Sequence, residues 1–112
     1  MKIVLIGYGK MGKTIERIAQ SRGHEIAGKI DIGDDIALFN KTADVAIEFT
    51  QPEAAVHNLK ACFEKGIPVV CGTTGWLHHK DEIEAHCQAH NGTLLYSSNF
   101  SLGVNVFIQF EE

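Results

Sequence analysis

The residues with the clearest chemical potential stand at the front of the chain. Gly7, Gly9 and Gly12 form a G-x-G-x-x-G pattern, completed by Tyr8, Lys10 and Met11. Before it runs IVLI (residues 3–6), the composition of a strand buried on both faces. After it comes a helical pattern with Ile15, Ile18 and Ala19 on one side. Strand, glycine turn and helix in that order are what binding a dinucleotide requires. Gly7 permits the tight turn. Gly9 lets backbone approach a pyrophosphate, and Gly12 lets the helix pack on the strand. The first helical N–H groups and the positive end of the helix dipole then face the phosphates.

Asp31 is the second such residue. It ends an expected strand, EIAGKI (residues 25–30), and lies 19 residues beyond Gly12. At about that distance a dinucleotide fold places a carboxylate to accept hydrogen bonds from the adenosine ribose hydroxyls. Ile32 follows, with no arginine nearby to hold a 2′-phosphate, and a carboxylate there repels one. NADH is therefore expected to bind at least as well as NADPH. Lys10, inside the turn, is the one cation placed to tolerate that phosphate.

Composition narrows the classes. The 112 residues make one small domain, with 45% apolar and 21% charged residues, enough for a modest core. Net charge is -4 and the basic residues are scattered, which offers no footprint for nucleic acid or an anionic membrane. The apolar start is too short for a membrane span and lacks a cleavage site, so no signal peptide is read. Cys62, Cys71 and Cys87 are odd in number without C-x-x-C spacing, favouring reduced thiols and a cytoplasmic location. Among six histidines, only His86 and His90 share a helix face at i, i+4. No third ligand stands at a suitable spacing, so no metal site is read.

The elements that must position these groups follow in alternation. Residues 32–42 read as a connection with a short helical hint, and DVAIEF (residues 44–49) as a third strand. Thr50, Gln51, Pro52 and Glu53 carry a capping-box pattern before a helix over 52–65, ended by Gly66. PVVC (residues 68–71) is a fourth strand, followed by Gly72-Thr73-Thr74-Gly75. A third helix is expected from near Trp76 through Ile83 and Ala85 to Asn91-Gly92. TLLY (residues 93–96) is a fifth strand, running into Ser97-Ser98-Asn99-Phe100-Ser101, and 102–112 carry a helical pattern. Alternation of this kind predicts an α/β fold. It is a Rossmann-like doubly wound parallel sheet of about five strands, with helices on both faces. Ligands of such sheets bind outside the carboxyl ends of the strands. There the small and polar residues gather, as one continuous groove across five strand ends.

GYGKMG (7–12), EFTQPE (48–53), VVCGTTGW (69–76) and SSNFSLGVN (97–105) together resemble the N-terminal, dinucleotide-binding part of the dihydrodipicolinate reductases of bacterial lysine biosynthesis. The resemblance covers the whole chain. A glycine fingerprint alone fits many dehydrogenases; GTTG with NFSLGVN at these separations is far more specific. The resemblance implies that residues 7–12 wrap the pyrophosphate and that Asp31 is the ribose-binding acid. It places Phe49 and Thr50 near the pyrophosphate and nicotinamide. Gly72, Thr73 and Thr74 line the nicotinamide ribose and carboxamide, and Ser97, Ser98, Asn99 and Phe100 close the nicotinamide side. Small side chains there admit a flat ring, and Asn99 offers directional hydrogen bonds. The glycine turn is one residue shorter than the form often seen in that family.

The family's catalytic segment, of the type HHxxKxDxPSGT, is missing from residues 1–112. His78-His79-Lys80 looks like a fragment of it, but no D-x-P-S-G-T follows, and it reads as a solvated helix face. The resemblance thus implies a parent enzyme that transfers hydride from NADH or NADPH to the dihydrodipicolinate precursor. That parent is a homotetramer, and its C-terminal domain carries the substrate contacts and catalytic groups. Residues 1–112 are then a cofactor-binding domain without catalytic residues. The alternative is a stand-alone NAD-binding sensor or interaction module, and the elaborated SSNF segment argues against it. A semialdehyde- or sugar-type reductase is a third reading that GTTG and NFSLGVN disfavour.

Overall fold

The computed structural model of the chain describes residues 1–97. Strand β1 (Lys2–Ile6) lies inside the sheet, with Ile3, Val4, Leu5 and Ile6 all buried. β2 (Glu25–Ile30), β3 (Val45–Glu48), β4 (Val69–Cys71) and β5 (Leu94–Tyr96) complete a five-stranded sheet in the order β2-β1-β3-β4-β5. Every pairing is parallel. A parallel sheet needs a crossover over one face between each pair of strands, which buries both faces. Continuous apolar strands such as IVLI and VVC answer that need.

The chain moves outward from β1 to β2, then returns past β1 to build β3, β4 and β5 on the other side. Right-handed crossovers in opposite directions put helices on opposite faces. Helix α1 (Lys10–Ser21) packs Ile15 and Ala19 on Ile3, Leu5, Val45, Ile47 and Val70. Helices α2 (Pro52–Lys65) and α3 (Lys80–Ala89) cover the other face, where Leu59, Phe63 and Ile83 meet Val4, Ile6, Ala46, Val69 and Cys71. Neighbouring strand residues serve opposite cores, as the period of two demands. The helical hint in the β2–β3 connection is a single 3-10 turn (Ile36–Leu38), whose Ile36 plugs the α2 side.

Helix ends follow local rules with one correction. Gly66 stops α2 at φ +70, and Ile67 N–H closes on the Cys62 carbonyl at 2.9 Å. The capping box expected at Thr50–Glu53 does not form. Gln51 is the N-cap residue without a side-chain hydrogen bond, and the Thr50 hydroxyl turns inward to donate to the Glu48 carboxylate. A buried acceptor outcompetes a helix-terminal N–H that water can satisfy. The third helix opens as a 3-10 turn (Leu77–His79) and becomes regular only at Lys80. Cys62 and Cys71 are buried, Cys87 is half-buried, and all three are free. Burial, with Glu48 nearby, pushes the Cys62 thiol up to about 12. No described helix is long and apolar enough to cross a membrane.

Candidate functional site

The order of strands reverses beside β1, and a crevice opens there between the ends of β1 and β3. In open parallel sheets this switch point is where ligands lodge. The chain leaves β1 through Gly7 at φ +99, with Gly7 N–H bonded to the Ile30 carbonyl at 2.8 Å. A Cβ on Gly7 would lie 1.9 Å from the Phe49 carbonyl oxygen, so neither the conformation nor the space admits another residue. A Cβ on Gly12 would lie 2.4 Å from the Gly7 oxygen, which lets α1 begin against the turn.

Gly9 is the opposite case. It is the N-cap residue of α1, and a Cβ built on it meets no atom within 4 Å. The space over Gly9 is open. α1 has no side-chain cap and no acidic residue in its first turn. Its leading N–H groups and positive dipole end therefore face that space without a competing anion. This cradle fits a pyrophosphate. Lys10 is exposed, and Met11 packs partly into the α1-side core rather than toward the crevice.

A groove of about 390 Å³ runs from this turn, lined by Tyr8, Gly9, Asp31, Phe49, Thr50 and Asn58 among others. Asp31 lies at the tip of β2, exposed, with its Oδ1 accepting the Ile32 N–H at 2.8 Å. Asp34 comes back beside it, its Oδ2 accepting the Asp31 N–H at 3.1 Å, and lines the same groove. Sequence reasoning missed Asp34, because the connection after β2 reads only as turn formers. Tyr8 is held by its hydroxyl, which donates to the Glu16 carboxylate, and by the Lys29 ammonium 4.7 Å from its ring centroid. Lys29, 2.7 Å from Glu16, and then Tyr8 hold the Glu16 carboxyl below the usual carboxylate range.

The lining of the 390 Å³ groove comes from the ends of β1, β2 and β3 and from α2. The Phe49 ring lies against Gly72, where a Cβ would sit 1.8 Å from a ring carbon, and so packs on the turn after β4. In that turn Thr73 is buried, its hydroxyl donating to the Glu48 carboxylate and accepting the Thr50 N–H at 2.7 Å. Thr74 is exposed. Ser97 is buried at the end of β5, its N–H bonded to the Cys71 carbonyl at 3.0 Å. Ser98, Asn99, Phe100 and the expected helical stretch 102–112 lie outside the described residues.

Glu48 is the other residue that sequence reasoning passed over. Its only signal was an acid ending an otherwise apolar strand. It is fully buried, and Thr50, Asn58, Cys71 and Thr73 all donate to its carboxylate. His78 and His79 lie on the 3-10 turn before α3, where His79 Nδ1 is 3.0 Å from Glu82 Oε1. His86 and His90 stack at 4.5 Å, with His86 2.8 Å from Glu64. Among the described residues, no group of three His, Cys, Asp or Glu side chains is placed to hold a metal ion.

A glycine turn feeding an uncapped helix at the switch point, with a carboxylate at the tip of β2, defines the class of dinucleotide-binding α/β domains. Solved structures with the same fold include homoserine dehydrogenase from Thermoplasma acidophilum (TM-score 0.74, 16% identity, 86% of this chain and 42% of that one). Aspartate dehydrogenase from Thermotoga maritima is a second, with TM-score 0.67, 13% identity, and coverage of 88% of this chain and 46% of that one. Residues 1–100 match the family described as dihydrodipicolinate reductase, N-terminus, and the chain belongs to that family. The 4-hydroxy-tetrahydrodipicolinate reductase of Christiangramia forsetii is 47% identical over 100% of this chain and 47% of its own length. That of Methanoregula boonei is 36% identical over 96% of this chain and 49% of its own length. The chain spans about half the length of the curated relatives it matches.

Proposed function

We propose that this chain is the cofactor-holding domain of an NAD(P)H-dependent reductase acting on the dihydrodipicolinate precursor. The observation that carries the reading is the open cradle over Gly9 at the uncapped start of α1. In this reading residues 7–12 hold the pyrophosphate by backbone N–H groups, and Asp31 accepts the adenosine ribose hydroxyls. Phe49 and Thr50 lead toward the nicotinamide, where Gly72, Thr73 and Thr74 shape the wall behind Phe49. Ser97, Ser98, Asn99 and Phe100 close the nicotinamide side, as the resemblance implies. When bound, the reduced nicotinamide supplies hydride; the domain's own residues bind and orient it. The dipicolinate-type substrate, the proton donor and the tetramer belong to the part of the relatives' length that this chain does not span. A cytoplasmic setting accords with three free thiols.

Asp31 and Asp34 together favour NADH over NADPH, because two carboxylates at the ribose end repel a 2′-phosphate. Calorimetric titration with each nucleotide tests this. Asp31→Ala is expected to weaken NADH roughly tenfold or more, the size of a lost charge-assisted hydrogen bond. NADPH should gain on NADH in the same variant. Unchanged NADH affinity in Asp31→Ala would remove the ribose role, and no binding of either nucleotide by the native chain would remove the function.

A further inference from the structure

Glu48 is a buried acid that cofactor binding as described does not use. Its two oxygens divide their partners between the turn after β3 with α2 and the end of β4 with its turn. Oε2 accepts the Thr50 hydroxyl, from the turn after β3, and the Asn58 amide at 3.0 Å, from α2. Oε1 accepts the Thr73 hydroxyl, from the turn after β4, and the Cys71 thiol at 3.4 Å. A carboxylate offers about four acceptor sites, and four donors take them. The two turns are also bonded to each other, Thr50 N–H to Thr73 Oγ1 at 2.7 Å. Trp76 Nε1–H adds a bond of 2.7 Å to the Thr73 carbonyl.

We propose that Glu48 is a positioning residue for the nicotinamide end of the cofactor groove, holding the turns after β3 and β4 in one register. The assignment rests on the function proposed above. A single buried carboxylate spans both turns, so the position of Thr50 is tied to that of Thr73, and Phe49 between them is pressed on Gly72. Asp31, at the tip of β2, lies across β1 from this network and shares none of its bonds, while Thr50 and Asn58 line the groove between them. Disturbing Glu48 therefore acts on half of the ligand. A carboxylate buried only to complete the core would show no such asymmetry.

The test compares NADH with ADP, which carries the adenosine and both phosphates but no nicotinamide riboside, by calorimetry on the native chain and on Glu48→Gln. The amide places a donor against donors. NADH is expected to weaken at least fivefold, while ADP stays within twofold of native. Thr73→Val, which keeps shape and removes the hydroxyl, should reproduce the split even if the Gln variant fails to fold. Thr73→Ser, which returns the hydroxyl, should restore NADH affinity relative to valine. Emission of bound NADH, a report on the nicotinamide environment, should shift in the Val variant and return in the Ser variant. Equal losses of NADH and ADP, or no loss of either, in a folded variant overturn the positioning role and leave the cofactor reading intact. Failure of the native chain to bind NADH overturns both.

Discussion

Gly9 and Gly12 belong to one motif and do different work, and the difference is measurable. Gly12 has no room: its missing Cβ would press on the Gly7 carbonyl oxygen at 2.4 Å. Gly9 has room in this structure, and under the proposed function a pyrophosphate takes that room. Gly12→Ala is therefore expected to lower folding stability by about 1–3 kcal/mol, the cost of overpacking. Gly9→Ala should leave the thermal midpoint within about 2 °C, a surface-sized change. It should also weaken NADH by about tenfold or more, since a methyl holds the phosphate off the helix N–H groups. Thermal melts and titrations on the same two proteins check both; a stable Gly9→Ala that binds normally would contradict the cradle.

At the scale of elements, charged groups stitch helices to one another and to the sheet. Asp35 caps the 3-10 turn through the Ala37 N–H and meets His57 of α2 at 2.7 Å; His57, then the Ala37 N–H, holds its carboxyl below the ordinary range. Glu82 of α3 is lowered by Lys60 of α2 and then by His79. Glu16 of α1 is lowered by Lys29 of β2 and then by Tyr8. A carboxyl with a lowered folded-state pKa contributes stability at pH above its ordinary value, lost as pH falls through the lowered one. Urea midpoints should therefore hold steady from pH 7 to 5 and decline below about pH 4. Asp35→Asn should shallow that decline. The pairs lie at the surface, exposed or half-buried, so each effect is small. A midpoint that rises on acidification would show that the carboxylates are not the stabilised form.

The whole molecule supplies one more expectation, from length. The chain spans about half of the relatives it matches, at 47% and 49% of their lengths. We expect the 112-residue chain to bind NADH with no oxidation of it in the presence of the dihydrodipicolinate precursor. Fusing it to the remaining half of a relative such as the Christiangramia forsetii enzyme should restore turnover, read as loss of absorbance of the reduced nicotinamide. Turnover by the short chain alone would show that it carries catalytic groups of its own.

What the sequence determined by itself was local. IVLI, the glycine spacing, Pro52 at the start of α2 and Gly66 at its end are interactions within a few residues, and their elements form where the pattern places them. The place of Asp31 just beyond the end of β2 was legible for the same reason, from the strand pattern before it. Tertiary structure decided what depends on residues far apart in the chain. Thr50 looked like a helix cap and instead serves Glu48, because a buried acceptor two residues away outweighs an exposed N–H. Phe49 joins the turns after β3 and β4, since its ring packs on Gly72, 23 positions on. Asp34 joins the site only because the loop folds back on Asp31. Glu48 shows the limit most clearly: its four partners span residues 50 to 73, and only packing assembles them around one carboxylate.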